Sequence, residues 1–151
     1  NTYTQIFIHI VFVVQGRANL INEKHRDELE KYITGIISNK KSKTMAIYCN
    51  PDHTHILIGM NPAISVSEIA RDIKANSSKF INESRWVVGK FNWQEGYGAF
   101  TYSKSQVARV VKYILSQREH HSSISFKNEY LKMLKKFEIE FEDKYLFEWY
   151  D

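Results

Sequence analysis

The sequence predicts an α+β domain of the ferredoxin-like (RRM-like) kind, a β-α-β-β-α-β antiparallel sheet with helices on one face and C-terminal helices after it. Two observations lead to this prediction. Four segments are rich in β-branched and aromatic residues, and the two long segments between them repeat apolar residues at helical spacing. Because 151 residues fit one core and no repeat or linker divides them, residues 1–151 are expected to form a single domain.

The four predicted strands are bounded by turn residues. Gly16 ends the first strand, and Asn50-Pro51-Asp52 separates the second from the third, which predicts a hairpin. Asn61-Pro62 breaks the chain after the third strand, and a loop with Gly89 and Gly96 precedes the fourth. The predicted strands are residues 3–14, 45–50, 53–60 and 97–102.

Capping residues mark the beginnings of the predicted helices. Asn22 precedes apolar residues at helical spacing, and Ser65 and Ser103 are each followed three residues later by Glu or Gln, which forms a capping box. These signals predict helices over residues 22–39, 65–82 and 103–118, and a last helix over 126–137 after a linker at 120–125. Residues 137–141 alternate apolar and acidic side chains, which predicts a strand-like tail that could dock on a sheet edge.

Composition and charge narrow the class of protein. The chain has a net charge of +4 and one cysteine, Cys49, so an internal disulfide framework is excluded and a reducing cytoplasm is expected. No apolar run is long enough to span a bilayer and no targeting segment is visible, so no membrane partner is expected. Residues 96–118 contain bases and no acid, which gives the third predicted helix a positive field that suits phosphate.

Two histidines lie one residue apart at the start of the third predicted strand. Residues i and i+2 of a strand point to the same face, which places His53 and His55 side by side, roughly 7 Å apart at their Cα atoms. Both imidazoles can then bind one metal ion. A His-x-His pair also occurs in strands where both residues are simply packed, so the pair indicates a metal site only in combination with other residues.

Tyr113 and Gln117 lie four residues apart and therefore share one face of the third predicted helix. Alone, they would be interpreted as a half-buried tyrosine and a solvated glutamine. Together with the two histidines, Tyr113 and Gln117 supply the groups that metal-assisted chemistry on a phosphate requires. Two neutral imidazoles and a neutral amide leave the full divalent charge on a metal, which can then polarise a phosphate, while a tyrosine can act as a reversible covalent nucleophile.

With these residues in place, the chain resembles a single-tyrosine transposase of the IS200/IS605 group in the HUH endonuclease superfamily. The resemblance runs over most of the chain up to Gln117 and depends on the order and spacing of several segments. They are Asp52-His53-Thr54-His55-Ile56-Leu57, Tyr113-Ile114-Leu115-Ser116-Gln117, and residues 3–12, 73–81 and 91–100. Thr54 departs from the pattern, since the middle residue of the triplet is usually bulky and apolar in this group.

The resemblance implies an activity and a role for each site residue. His53, His55 and Gln117 would hold a divalent metal, Mg²⁺ or Mn²⁺, and Tyr113 would join the 5′-phosphate of single-stranded DNA and free a 3′-hydroxyl. The expected function is therefore a DNA transposase that cleaves and rejoins single strands through a covalent phosphotyrosine. The expected partners are hairpins at element ends and a second copy of the chain in a homodimer.

Basic and polar side chains are candidates for DNA contact. The third predicted helix supplies two of them, and the second supplies the others within a segment that matches the family. The candidates are Arg109 and Lys112, and Lys74, Ser78 and Lys79.

The sequence leaves rival interpretations open. One alternative is a domesticated relative. Another is a non-catalytic nucleic-acid-binding module on a ferredoxin-like sheet, which would bind DNA without a covalent adduct and without sensitivity to a chelator. An interaction protein, or a hydrolase that delivers water to phosphate, would be insensitive to loss of the Tyr113 hydroxyl. The sequence does not specify the target hairpin, the metal used in the cell or the role of the acidic tail. It also does not specify whether Tyr113 acts in its own subunit or across a dimer.

Overall fold

A computed structural model describes residues 1–16, 20–120, 124–143 and 146–149. Its centre is a four-stranded antiparallel sheet in the order β2-β3-β1-β4. This order and the β-α-β-β-α-β succession confirm the predicted ferredoxin-like fold. The strands are β1 (Phe7–Val13), β2 (Lys43–Cys49), β3 (His53–Gly59) and β4 (Gly98–Tyr102).

The helices begin close to the predicted caps. The Asn22 side chain accepts from the backbone N–H of Lys24, and the Ser65 hydroxyl accepts from that of Glu68. A short 3₁₀ turn at Lys104–Gln106 leads into the third helix. The helices are α1 (Glu23–Asn39), α2 (Val66–Ser84), α3 (Val107–Leu115), α4 (Gln117–His120) and α5 (Phe126–Lys136).

The two faces of the sheet are covered by different helices. Alternate residues of β1 and β3 point to opposite faces. One face, with Ile10 and Ile56, packs against α1 and α2 in the larger apolar core. The other face, with Val11 and Leu57, packs against α3 and α5 in two smaller clusters. The C-terminal helices therefore form a third layer on the face that also carries His53 and His55.

Two local predictions were wrong. The single helix expected over residues 103–118 is interrupted at Ser116, whose hydroxyl bonds to the carbonyl oxygen of Lys112 and competes with regular helical geometry. The strand expected at residues 137–141 is absent, because Glu138 takes a left-handed conformation (φ 54°) that ends α5 and turns the chain away. Part of the expected linker at 120–125 lies outside the described residues.

The last described segment, residues 146–149, returns to α5. Phe147 is buried against Tyr130, and the ring of Trp149 lies 5.7 Å from that of Phe126, measured between centroids. The backbone of Glu148 exchanges two hydrogen bonds with the Gln94 side chain, at 2.7 and 3.0 Å. These contacts hold α5 on the sheet. Within the described ranges, no helix combines the length and apolar character needed to cross a membrane.

Candidate active site

The site lies at the N-terminal end of β3, where His53 and His55 project from the same face of the sheet. Both side chains are buried, and their ring centroids are 5.1 Å apart with the rings nearly perpendicular. Phe126 of α5 stacks on His53 at 3.9 Å between centroids and closes one side of the site. The alternation of the strand thus brings the two imidazoles together as their spacing predicts.

Each imidazole is oriented by a neighbour behind it. Nδ1 of His53 lies 2.7 Å from Oδ1 of Asp52, and Nδ1 of His55 lies 2.8 Å from Nε2 of His9. These contacts leave Nε2 of both rings facing the interior of the site. Carboxylate and ring partners of this kind fix the orientation and tautomer of metal-binding histidines.

Helix α3 places Tyr113 against the histidines. Its buried residues Val107, Val110 and Ile114 pack on the sheet, and each buried aliphatic side chain stabilises the fold by about 1.5–3 kcal/mol. This packing fixes the rotation of the helix about its axis. The Tyr113 ring is consequently half-buried and lies edge-on to His55, with 5.8 Å between ring centroids.

Gln117 enters the same site from the first residue of α4. Its side chain is fully buried, and Oε1 accepts a hydrogen bond of 3.1 Å from Nδ2 of Asn50. The same Asn50 nitrogen lies 3.2 Å from Nε2 of His53. Although the helix breaks at Ser116, the structure brings His53, His55, Tyr113 and Gln117 together.

Glu129 of α5 lies at the centre of this group, and the sequence analysis missed it. Its carboxylate is buried, with Oε1 at 3.1 Å from Nε2 of His55 and 3.7 Å from Nε2 of His53. Its other oxygen accepts hydrogen bonds from the Tyr113 hydroxyl and from Nε2 of Gln117. One signal was available: Glu129 shares the apolar face of α5, where an acidic residue is rarely found without a partner.

Burial and the Glu129 carboxylate shift the protonation of their neighbours. Burial lowers the pKa of His9 well below its ordinary value, and the nearby His55 lowers it further. Burial also acts to lower the pKa of His53, but the hydrogen bonds to Asp52 and Glu129 outweigh it and the pKa is raised. Burial raises the pKa of Tyr113, and the charge of Glu129 raises it further. Tyr113 is therefore held as a neutral phenol whose hydroxyl donates a hydrogen bond to Glu129.

The donor set fits a divalent cation. One ligand atom from each of His53, His55 and Glu129 can be chosen so that all three lie within 4.8 Å of one another. The amide of Gln117 borders the same space. Imidazole nitrogens combined with carboxylate and amide oxygens suit Mn²⁺ and related ions, and a single carboxylate leaves the metal a net positive charge toward phosphate.

The candidate DNA contacts fall in two places. Arg109 and Lys112 are exposed on α3 near Tyr113. The other candidates, Lys74, Ser78 and Lys79, lie on α2, which covers the opposite face of the sheet. The Lys74 ammonium group is already hydrogen-bonded within the fold, because its Nζ donates to the carbonyl oxygens of Gln94 and Gly96 at 2.7 Å each. The structure therefore does not bring the α2 residues to the tyrosine.

Comparison with known proteins identifies the family. A family model described as "Transposase IS200 like" matches residues 2–117. The chain therefore belongs to the IS200-like transposase family. The matched segment contains His53, His55, Tyr113 and Gln117, whereas Glu129 lies beyond it.

Individual relatives agree with this assignment. The ISDra2 transposase TnpA of Deinococcus radiodurans is 23% identical over 122 residues, which cover 76% of this chain and 86% of that protein. A crystal structure of a protein from D. radiodurans R1 described as a transposase has a TM-score of 0.61 at 19% identity, covering 78% of this chain and 94% of the other. A REP-associated tyrosine transposase bound to a REP hairpin also has a TM-score of 0.61, at 15% identity, covering 82% and 73%.

Proposed function

We propose that this chain cleaves and rejoins single-stranded DNA through a covalent bond between Tyr113 and a 5′-phosphate. The single observation that carries the proposal is the convergence of the Tyr113 hydroxyl, Nε2 of His53 and of His55, and the Glu129 carboxylate in one buried site. A tyrosine that merely packs in a core does not need a buried carboxylate and two oriented imidazoles around its hydroxyl.

In the proposed step, Oη of Tyr113 attacks the phosphorus of the scissile phosphodiester. A bond forms between Oη and phosphorus, and the bond between phosphorus and the 3′-oxygen breaks. Oε2 of Glu129 already accepts the Tyr113 hydrogen bond, so it is placed to receive the phenol proton, and the departing 3′-oxygen takes a proton from solvent water to become a hydroxyl. The reverse attack by a 3′-hydroxyl on the phosphotyrosine reseals the strand.

We propose that His53, His55, Glu129 and Gln117 hold a divalent metal, Mg²⁺ or Mn²⁺. When bound, the ion would supply Lewis-acid stabilisation of the charge on the scissile phosphate. The protein contributes the orientation of the ligands: Asp52 and His9 hold the two rings with Nε2 turned inward. Phe126 and the surrounding helices exclude water from one side.

The substrate in this proposal is single-stranded DNA with a hairpin, as at the ends of mobile elements. Support comes from the family and from the REP hairpin bound by a structural relative. The family resemblance also leads us to propose a homodimer. We propose that Arg109 and Lys112, next to Tyr113 on α3, contact the DNA backbone near the cleaved phosphate. Any DNA contact made by Lys74, Ser78 and Lys79 on α2 would be with more distant parts of the DNA.

Covalent capture tests the proposal. Wild-type protein, Tyr113→Phe and Tyr32→Phe are incubated with a pool of hairpin-bearing single-stranded DNA and Mn²⁺, and SDS-resistant, protease-sensitive adducts are scored. Tyr32 is a matched control because it lies on α1, on the opposite face of the sheet. Adducts are expected for wild type and Tyr32→Phe, and none for Tyr113→Phe or in EDTA. DNA binding without an adduct in the wild type would favour the non-catalytic module instead.

A further inference from the structure

A cavity of about 290 Å³ opens beside Tyr113, between α3 and α5. It is walled by the end of β4, by one side of α3 and by the second half of α5. The volume lies just below the range of about 300–1,000 Å³ typical of small-molecule sites. Its lining includes Tyr102, Arg109, Lys132, Met133 and Lys136 as well as Tyr113 and Glu129.

The charge of the cavity favours a phosphate. Three of its lining residues are the exposed cations Arg109, Lys132 and Lys136, and none of them forms an ion pair within the described part of the chain. Among the described residues of the lining, Glu129 is the one acid, and its carboxylate is already engaged by Tyr113 and His55. Unpaired cations around a concave surface attract and hold a DNA backbone phosphate.

The inner wall of the cavity offers surfaces for a nucleobase. Tyr102 is half-buried at the end of β4, and Lys136 Nζ lies 6.0 Å from the centroid of its ring. Met133 adds a polarisable apolar side chain from α5. Single-strand-binding proteins hold unpaired bases with aromatic rings and nearby cations, since every base can stack on an aromatic ring.

We propose that this cavity is a subsite for one unpaired nucleotide adjacent to the phosphate that Tyr113 attacks. The base lies against Tyr102 and Met133, and the phosphate is paired by Arg109, Lys132 and Lys136. The subsite rests on the proposed function, because it assumes that the ligand of this face is single-stranded DNA. The subsite gives α5 a second role besides supplying Glu129. The α5 residues that carry both roles lie outside the segment matched by the family model.

The location is tested by photo-crosslinking in EDTA, so that cleavage plays no part. Tyr113→Phe protein is mixed with a short oligothymidine that carries one 4-thiothymidine, irradiated, digested and analysed by mass spectrometry. Crosslinks are expected on the peptide that contains Tyr102 and on the α5 peptide that contains Met133. Crosslinks confined to other parts of the chain, or no binding of the oligonucleotide, would overturn the proposal.

The role of the cations is tested with a charge-matched pair of double variants. Lys132→Ala with Lys136→Ala removes two cavity cations, whereas Lys31→Ala with Lys135→Ala removes two exposed cations outside the cavity. Because each neutralised phosphate on a single strand contributes about 0.7 to the slope of log affinity against log salt concentration, and the cavity cations share one phosphate, the cavity variant should lower that slope by up to about 0.7. Equal slopes for the two variants would overturn the proposal.

These results are separable from the proposed function. Crosslinks in the cavity without any Tyr113 adduct would leave the subsite in place and remove the cleavage chemistry. A Tyr113 adduct with crosslinks elsewhere would keep the chemistry and remove the subsite.

Discussion

The hydroxyl of Tyr113 donates a hydrogen bond to the carboxylate of Glu129, sixteen residues further along the chain. The same carboxylate faces Nε2 of both histidines. Glu129 therefore links the side chain proposed as nucleophile to the residues proposed as metal ligands. Four predictions follow from this arrangement and from the way α5 is held.

Glu129→Gln should weaken metal binding while the fold is retained, because the amide keeps the size of the side chain but loses its charge. We expect Mn²⁺ affinity, measured by isothermal titration calorimetry, to fall at least about tenfold, the scale seen when a supporting group of a metal site is lost. Glu140→Gln, an exposed acid beyond α5, is the control and should bind Mn²⁺ like the wild type. Equal affinities for all three proteins would remove Glu129 from the metal site.

Asp52→Asn should lower metal affinity indirectly. Asp52 fixes the His53 ring through a contact of 2.7 Å between Oδ1 and Nδ1, and the neutral amide that replaces it is a weaker acceptor that orients the ring less firmly. The expected decrease in Mn²⁺ affinity is about 10- to 100-fold, measured by electron paramagnetic resonance of free Mn²⁺. Asp27→Asn on the exposed side of α1 should leave the affinity unchanged. If Asp52→Asn behaves like that control, the contact has no orienting role.

A mixing experiment distinguishes placement of Tyr113 in its own subunit from placement across a homodimer. The described chain places Tyr113 on its own His55, at 5.8 Å between ring centroids. A mixture of His55→Ala and Tyr113→Phe proteins should consequently form no covalent adduct, because every site lacks one component. Recovery of adduct in the mixture, with neither variant active alone, would show that the tyrosine acts on the partner's histidines.

Gly98→Ala should displace α5 from the sheet. A Cβ atom at Gly98 would lie 2.5 Å from the hydroxyl oxygen of Tyr130, so the buried Tyr130 ring, the strand or the helix must shift. We expect the free energy of unfolding to fall by about 1–3 kcal/mol in urea denaturation, as for other overpacked cores. Combining it with Tyr130→Phe, which removes the closest atom, should restore part of the loss.

Gly35→Ala is the matched control for this substitution. Gly35 lies inside α1, and a Cβ atom there meets nothing within 4 Å. Alanine should therefore stabilise the helix, by about 0.5–1 kcal/mol. A Gly98→Ala protein as stable as the wild type would mean that α5 tolerates movement and does not hold Glu129 rigidly.

The sequence was sufficient for features that depend on local periodicity. The alternation of β3 places His53 and His55 together, and the cap at Ser65 marks the start of α2. The sequence was insufficient for features that depend on tertiary contacts. Glu129 takes its importance from the packing of α5 on the face that carries the histidines, and its place on the apolar face of α5 indicates a partner without indicating which one.

The same reasoning explains two smaller outcomes. His9 lies in an apolar strand whose sequence does not indicate a partner, and the structure places it against His55, 46 residues away in the neighbouring strand. Lys74 was a candidate DNA contact from its charge and its place in a segment that matches the family, but the structure uses its ammonium group to hold the loop carbonyls of Gln94 and Gly96. Charge and spacing do not reveal which neighbour the fold provides.

Identifying the residue and the DNA end that become joined tests the proposed phosphotyrosine. A metal-dependent adduct with hairpin-bearing single-stranded DNA is digested with protease and nuclease, and the modified peptide is sequenced by mass spectrometry. We expect a 5′-phosphorylated nucleotide on Tyr113 and a free 3′-hydroxyl on the released strand that a polymerase can extend. Attachment to another residue, or cleavage that leaves no covalent adduct, would rule out Tyr113 as the nucleophile.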